Sequence, residues 1–247
     1  MLFKESVSIA IAALLSNKLR SILTMLGIII GVGAVIVMIS IGMGVRQNVT
    51  NSIASLGSNM LIVTPGSANK GGVRSAAGSN QSLKLDDAEA IQKRIKDIDY
   101  VAPTVNSSYQ VVYGNQNWNT SVYGVTPDYM KIRSLTVASG SFITNADDNS
   151  RNRVAVIGST VATNLFGTKN PVGSNIRIHN QPFKVIGVLE SKGQSSMGSD
   201  QDDVVLVPLK TAQERLMGIT YIRSINIQVT NTNDMDAVQE QVETLLR

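Results

Sequence analysis

One uncharged stretch limits what this 247-residue chain can fold into. Residues 22–45 (ILTMLGIIIGVGAVIVMISIGMGV) carry no charged side chain, and Arg20 and Arg46 bracket them. A helix through this run covers roughly 36 Å, which exceeds the roughly 30 Å hydrocarbon core of a bilayer. We therefore predict a transmembrane helix over 21–45, which argues against a soluble cytosolic enzyme. A cleavable signal peptide would have a shorter apolar stretch lying closer to the N-terminus.

The basic residues around this stretch predict its direction. Lys18 and Arg20 lie at its near end, whereas the next basic residue after Arg46 is Lys70. By the positive-inside rule, Lys18 and Arg20 form a cytoplasmic anchor. The prediction is a cell (inner) membrane protein with a cytoplasmic N-terminus and an extracytoplasmic main domain. Residues 1–20 read as an amphipathic helix on the cytoplasmic membrane face, or as a plain helical lead-in.

Small residues form one face of the predicted span. Gly27 and Gly31 are four residues apart, and Ala34 extends the same face. Such a pattern lets helix backbones approach closely in lipid, although glycine is also common in membrane helices without that role. We predict that this face packs on another helix, and the resemblance described below implies that this helix belongs to a second copy of the chain.

The helical rhythm continues beyond the span. Val45, Val49, Ile53 and Leu56 recur at helical spacing, and Gly57 then offers a C-cap. A single helix from about residue 20 to 56 would be roughly 55 Å long. We predict that residues 46–57 form a stalk that couples the membrane helix to the external domain.

The two ends of the external part repeat a strand–helix pattern. Short β-prone runs precede amphipathic helical segments in both places, which predicts a split α/β layer with the middle of the chain inserted. The first unit has a strand at 61–64, a helix at 85–98 capped by Asp86 or Asp87, and a new strand from Tyr100. The second has a strand at 224–230 and a helix at 234–246. A closing strand would be expected after Arg247.

Residues 65–82 are small and polar, which predicts a contact loop or a disordered one.

The middle of the chain is mostly β-prone. Glycine, asparagine and proline separate short runs rich in β-branched residues. Helices are predicted at 159–166 and 210–217, and a flexible acidic loop at 190–203. The predicted strands lie at 109–113, 120–124, 154–157, 176–178, 183–189 and 204–207. The predicted fold class is α+β.

The sequence offers little catalytic chemistry. Cysteine is absent, and the single histidine, His179, reads as a surface turn residue rather than a metal ligand. Asp200, Asp202 and Asp203 lack the spacing of an EF-hand loop, which favours a solvated loop over a calcium site. No P-loop motif and no G-x-S-x-G motif occurs. We predict no catalytic residue, no cofactor and no metal, and therefore no enzyme.

Composition also argues against nucleic-acid binding. The net charge is only +4, half of it at the cytoplasmic anchor, and aromatic residues make up 4% of the chain. Proteins that bind single strands interleave basic and aromatic side chains, and this chain does not.

Several blocks resemble the MacB-type (FtsX-like) permeases of ABC transporters. The most specific block is 17–32 (NKLRSILTMLGIIIGV), at the first membrane segment of that family. Further blocks are 41–44 (IGMG), 56–59 (LGSN), Pro65-Gly66, 124–127 (GVTP) with Tyr129, 165–167 (LFG), 170–173 (NPVG), Phe183 with 185–188 (VIGV), and 200–203 (DQDD) with Pro208. Ser141 departs from the pattern, because the family often has a basic residue there.

This resemblance implies a fold and a role. Such permeases are dimers driven by a cytoplasmic ABC ATPase, some of them with a membrane-fusion adaptor protein, and they carry a large external domain after their first membrane helix. The implied domain has a porter-like α/β lobe, expected at 58–139 and 219–247, and a β-rich inserted lobe at 140–218. The implied function is efflux by mechanotransmission, in which ATP-driven motion in the cytoplasm moves the external domain. The ATPase and the later membrane helices of the family are not in this chain.

A second class of protein is consistent with the same sequence features. A free-standing, single-span anchored binding protein would show the same membrane helix and external domain. The coding sequence downstream of Arg247 separates the two, because a permease requires further membrane helices there.

Overall fold

The computed structural model describes residues 5–7, 9, 12, 16–56, 59–66, 69–70, 73–74, 81–195 and 198–247. The chain divides into two compact units, Met1–Asn51 and Ser52–Arg247. Half of the residues of the amphipathic helix predicted at 1–20, and the C-cap predicted at Gly57, lie outside the described residues. Residues 5–7, 9, 12 and 16 of that first segment are helical.

The first long element is helix α1, Lys18–Leu56. Its part Lys18–Arg46 is long and apolar enough to cross a membrane. The consecutive apolar side chains of Ile28, Ile29 and Ile30 are all exposed, so the helix is apolar on every side, as a lipid-facing helix is. The prediction of one continuous helix ending near residue 56 is confirmed.

Among its described residues, the second unit has eleven strands and several helices. The strands are β1 (Met60–Val63), β2 (Asn69–Lys70), β3 (Val73–Arg74), β4 (Ile98–Tyr113), β5 (Gln116–Val125), β6 (Val137–Gly140), β7 (Val154–Ile157), β8 (Asn175–Ile178), β9 (Gln181–Leu189), β10 (Val204–Pro208) and β11 (Ser224–Val229). The helices are α2 (Leu85–Arg94), α3 (Asp128–Ile132), α4 (Asn145–Asn149), α5 (Ser159–Phe166), α6 (Leu209–Thr211) and α7 (Met235–Leu246), with a π-helix at Ala212–Met217 and a 3-10 turn at Thr232–Asp234.

The two strand–helix units form one layer. Strand β11 lies between β1 and β4 and is antiparallel to both, with Ile227 opposite Leu61 and Val101. The helices α2 and α7 contribute Ile91 and Val242 to the same apolar cluster as Ile227. The two ends of the chain therefore pair as the split α/β layer predicted.

The remaining strands close on themselves. The pairs β4–β5, β5–β10, β10–β7, β7–β9, β9–β8 and β8–β4 form an uninterrupted ring of hydrogen-bonded neighbours. Ring closure leaves these six strands few open edges. Side chains from around the ring are fully buried in one cluster: Val111, Val122, Ile157, Ile178, Phe183 and Val205. Strand β6 pairs with β9 outside the ring.

The long strand β4 belongs to both parts of the sheet. Its first half pairs with β11, and its second half pairs with β8 at Val111 and Val112. Strand β5 follows β4 along the length of their hairpin. The lobe boundaries expected at 139/140 and 218/219 stay a prediction.

Several local predictions were wrong in detail. Helix α2 ends at Arg94 rather than at 98, because Ile95 is already extended and Asp97 turns the chain at φ 62°. The N-cap of α2 is Lys84, whose backbone N–H donates to the Asp87 carboxylate at 2.8 Å. Strands β2 and β3 pair inside the segment predicted as a loop at 65–82. The helix predicted at 210–217 is mostly π-helical.

Candidate functional site

The small-residue face of α1 is open. Gly27, Gly31 and Ala34 are exposed, and a methyl group added at either glycine would meet no atom within 4 Å. In the part of the chain that the structure describes, nothing packs on this face. The face is therefore free to take a partner helix, and its role stays a prediction.

The predicted anchor and stalk residues all lie on α1. Lys18 and Arg20 are exposed in its first turn, and Val45 is 57% exposed further along. The backbone is helical at Val49, Ile53 and Leu56, whose side chains lie outside the described residues. Coupling by these residues stays a prediction.

A short joint follows the end of α1. The backbone N–H of Val229 in β11 donates to the Asn59 carbonyl oxygen at 2.8 Å, and the Asn59 side-chain amide donates back to the Val229 carbonyl oxygen. Asn59 stands immediately before β1, and these two hydrogen bonds, which we call the Asn59 joint, tie it to β11. Sequence patterns did not mark Asn59, because its partner lies 170 residues away.

The acidic loop at 190–203 is organised by one buried carboxylate. Asp202 is 6% exposed, so its prediction as a solvated loop residue was wrong. It accepts hydrogen bonds from the backbone N–H groups of Lys192 and Gly193, at 2.8 and 3.0 Å, and from the Ser191 hydroxyl. Burial alone would raise the pKa of Asp202, but these donors outweigh it and lower the pKa below its usual value of 3.8. The carboxylate holds the loop in place.

The other polar groups singled out from sequence do not assemble a reaction centre. His179 is exposed at φ 48° in the β8–β9 turn, with its ring centroid 5.2 Å from that of Tyr109. Within the described ranges, no three His, Asp or Glu side chains come together as metal ligands would.

A second buried carboxylate joins two helices. Asp148 of α4 accepts the Lys210 backbone N–H of α6 at 2.9 Å, and the Lys210 ammonium lies 3.9 Å from the same carboxylate. Burial raises the pKa of Asp148, and the contacts with Lys210 oppose that rise. The sequence held no signal for this pair, because 62 residues separate its members.

One cavity of about 320 Å³ opens beside the acidic loop. We call it the Arg133 cavity; its polar lining includes Ser121, Tyr123, Tyr129, Arg133, Lys192 and Asp203. Burial raises the pKa of the Tyr129 phenol, and the charge of Arg133 opposes that rise. These residues come from β5, α3 and two loops, so no spacing along the chain could have grouped them.

These features define a class of protein: an α+β domain with a partly closed β-sheet, carried on one apolar helix that can span a membrane. Comparison with known proteins makes the family specific. Residues 21–245 match the model of the MacB-like periplasmic core domain, and the chain belongs to that family.

Named relatives agree with this assignment. A macrolide export ATP-binding/permease protein MacB of Bdellovibrio bacteriovorus is 43% identical over 94% of this chain, and one of Chlorobium luteolum is 38% identical over 96%. The chain spans 36% of the length of each of these relatives.

Solved structures share the fold. The periplasmic region of MacB from Actinobacillus actinomycetemcomitans superposes with a TM-score of 0.64 at 26% identity, over 78% of this chain and 87% of that one. The extracellular domain of the noncanonic ABC-type transporter YknZ from Gram-positive bacteria gives a TM-score of 0.63 at 20% identity, over 76% and 92%. Because its sequence identity is low, the second match supports the fold only.

Proposed function

We propose that this chain is the membrane-anchored permease portion of a MacB-type ABC efflux transporter. Its task is to couple ATP-driven motion of a cytoplasmic ATPase to an extracytoplasmic domain that moves substrate. The observation that supports this proposal is the unbroken course of α1 from its apolar part to Leu56, and the Asn59 joint with β11 lies further along the chain. A continuous helix transmits displacement along its axis, whereas a flexible linker would absorb it.

The proposed orientation follows from charge. Lys18 and Arg20 stand at the start of the apolar part of α1, which supports a cytoplasmic N-terminus in the inner membrane. The family match to a periplasmic core domain supports placing the second unit outside the cytoplasm.

The proposed partners follow from the relatives and from α1. The relatives are named ATP-binding/permease proteins, and this chain has no P-loop, so a cytoplasmic ABC ATPase would supply the nucleotide site. The open face at Gly27, Gly31 and Ala34 supports a homodimer in the bilayer. A membrane-fusion adaptor protein is the proposed third partner, and it rests on family resemblance.

A proline in the stalk tests mechanical coupling. Ser52→Pro, placed in the complete transporter, removes a backbone hydrogen bond of α1 and costs about 3 kcal/mol of helix stability. We expect export of a macrolide, the substrate class in the relatives' names, to be lost while the ATPase still assembles with the permease.

Ser52→Ala is the matched control, because it also removes the hydroxyl group but keeps the helix. Undiminished macrolide export by the proline variant would count against coupling through α1. Absence of macrolide export in the unmodified transporter would count against macrolides as the substrate and leave the coupling to be measured with another one.

A further inference from the structure

The Arg133 cavity combines an apolar wall with a basic group that the fold itself does not use. Leu135, Leu189 and Leu206 line it, and Leu189 and Leu206 belong to the second apolar cluster of the domain. Its volume of about 320 Å³ lies at the lower end of the range for small-molecule sites. Such a cavity admits a ligand about the size of one aromatic ring with a short chain.

The guanidinium of Arg133 has no partner within the described part of the chain. The backbone of Arg133 is engaged, because its carbonyl oxygen accepts the Lys192 ammonium at 2.6 Å and its N–H donates to Tyr129. The half-buried guanidinium makes neither a hydrogen bond nor an ion pair with any described residue. Five N–H donors are therefore available to a ligand.

A second cation stands beside Arg133. The hydrogen bond from Lys192 to the Arg133 carbonyl holds the ammonium at the same cavity. Burial and the charge of Arg133 lower the pKa of Lys192, and the charge of Asp202 opposes this lowering. Two like charges in a partly buried site repel each other, and a bound anion would add to the compensation that Asp202 already gives.

The carboxylates that also line the cavity are already engaged. Asp203 accepts the Trp118 ring N–H at 2.8 Å. Asp200 accepts the Thr160 hydroxyl at 2.7 Å and the Asp202 backbone N–H at 2.8 Å. Neither carboxylate forms a salt bridge with Arg133 in the described structure, so the guanidinium keeps its binding capacity.

We propose that the Arg133 cavity binds a small amphipathic anion, whose acidic head pairs with Arg133 and whose apolar body lies against Leu135, Leu189 and Leu206. Arginine suits this role, because its planar fork matches a carboxylate with two parallel hydrogen bonds. The site is separate from α1 and the Asn59 joint, so it can be present whether or not the stalk couples motion.

The test compares an acid with its uncharged amide. The full chain is placed in nanodiscs of phosphatidylcholine, and binding of 3-phenylpropionate and of 3-phenylpropionamide is measured by ligand-observed NMR, with empty nanodiscs as the blank. We expect saturable binding of the acid, and binding of the amide weaker by about tenfold or more, because the amide cannot form the charged pair with Arg133. No variant is needed for this comparison.

Variants then locate the site. Arg133→Gln should weaken binding of the acid by about tenfold, and Arg177→Gln, which removes an exposed arginine of β8 outside the cavity, should leave it unchanged. The Trp118 indole N–H resonance reports whether each variant is folded. Absence of saturable acid binding, equal binding of acid and amide, or unchanged acid binding in a folded Arg133→Gln variant would each overturn the proposal.

Discussion

At the scale of single residues, a few buried polar groups position long stretches of backbone. The Asp202 carboxylate accepts three hydrogen bonds from residues 191–193. The charge is tolerated in a buried position because those donors replace the water that burial removes. The loop between β9 and β10 consequently has a defined path around Asp202, which also places Lys192 beside Arg133.

Asp202→Asn tests this role. The substitution replaces one acceptor oxygen by an amide donor that faces other donors, so we expect the free energy of unfolding to fall by about 2 kcal/mol. Hydrogen exchange should show faster exchange of the Lys192 and Gly193 amides. Glu240→Gln, which also removes one charge at an exposed position of α7, should change neither quantity.

The same carboxylate predicts a pH dependence. Its pKa in the folded chain lies below the usual 3.8, so its contribution is complete above about that pH and is lost as the pH falls through the lowered value. Protection of the Lys192 and Gly193 amides should fall in that acidic range in the unmodified chain and be independent of pH there in Asp202→Asn. Protection that stays constant through the range would contradict the assignment.

At the scale of elements, close approach of backbone segments explains one glycine of the 124–127 block. A methyl group at Gly124 of β5 would contact the Ala212 methyl group of the π-helix and lie 2.7 Å from a Val105 methyl group of β4. The π-helix packs against the β4–β5 hairpin only because this strand position has no side chain.

Gly124→Ala should therefore destabilise the domain. We expect a loss of about 1–3 kcal/mol, because overpacking forces the strand and the π-helix apart. The measurement is the midpoint of thermal unfolding of the whole chain. Gly66→Ala is the control, since a methyl group there meets no atom within 4 Å and the backbone needs no left-handed conformation. Equal unfolding midpoints for the two variants would show that the neighbouring side chains move aside without destabilising the domain, which would contradict the prediction.

The elements differ in how far the sequence could predict them. Helix α1 follows from its long uncharged run, and helices α5 and α7 and most strands follow from local sequence patterns, which report which face of a segment is apolar. Closure of the ring through the pairing of Val111 with Ile178 could not be predicted, because the alternation of apolar and polar residues along a strand does not indicate which strand it pairs with. The early end of α2 was missed, since Ile95 and Ile98 continue the apolar rhythm into an extended strand.

The candidate sites show the same limit. The face of Gly27, Gly31 and Ala34 was visible because its members lie on one helix at fixed spacing. Arg133 and Lys192 are 59 positions apart in the sequence, and they meet only because the end of α3 and the β9–β10 loop fold against each other. Pairing of that kind depends on tertiary structure, and no pattern in a single sequence encodes it.

At the scale of the whole molecule, the proposed coupling function requires contact between membrane helices. The hydrophobic effect does not drive two apolar helices together in lipid, because the lipid tails are as apolar as the side chains. Association therefore depends on close packing of the helix backbones. We propose that the open face of Gly27 and Gly31 provides that packing, because the exposed leucine and isoleucine side chains elsewhere on α1 would hold a second backbone further away.

Cross-linking tests the proposed pairing of two chains. The chain has no cysteine, so a single cysteine at Ala34 reports only on contact between copies. A disulfide requires Cα atoms within about 7 Å, which two helices reach only when their backbones pack closely. We expect oxidation in the membrane to yield a covalent dimer, and Gly31→Leu to reduce its yield severalfold because the added side chain separates the helices.

Gly33→Leu is the matched control. It adds the same side chain about 200° around the helix and should leave the yield unchanged. Equal yields in the two leucine variants would mean that the copies meet, if at all, through a different face of α1.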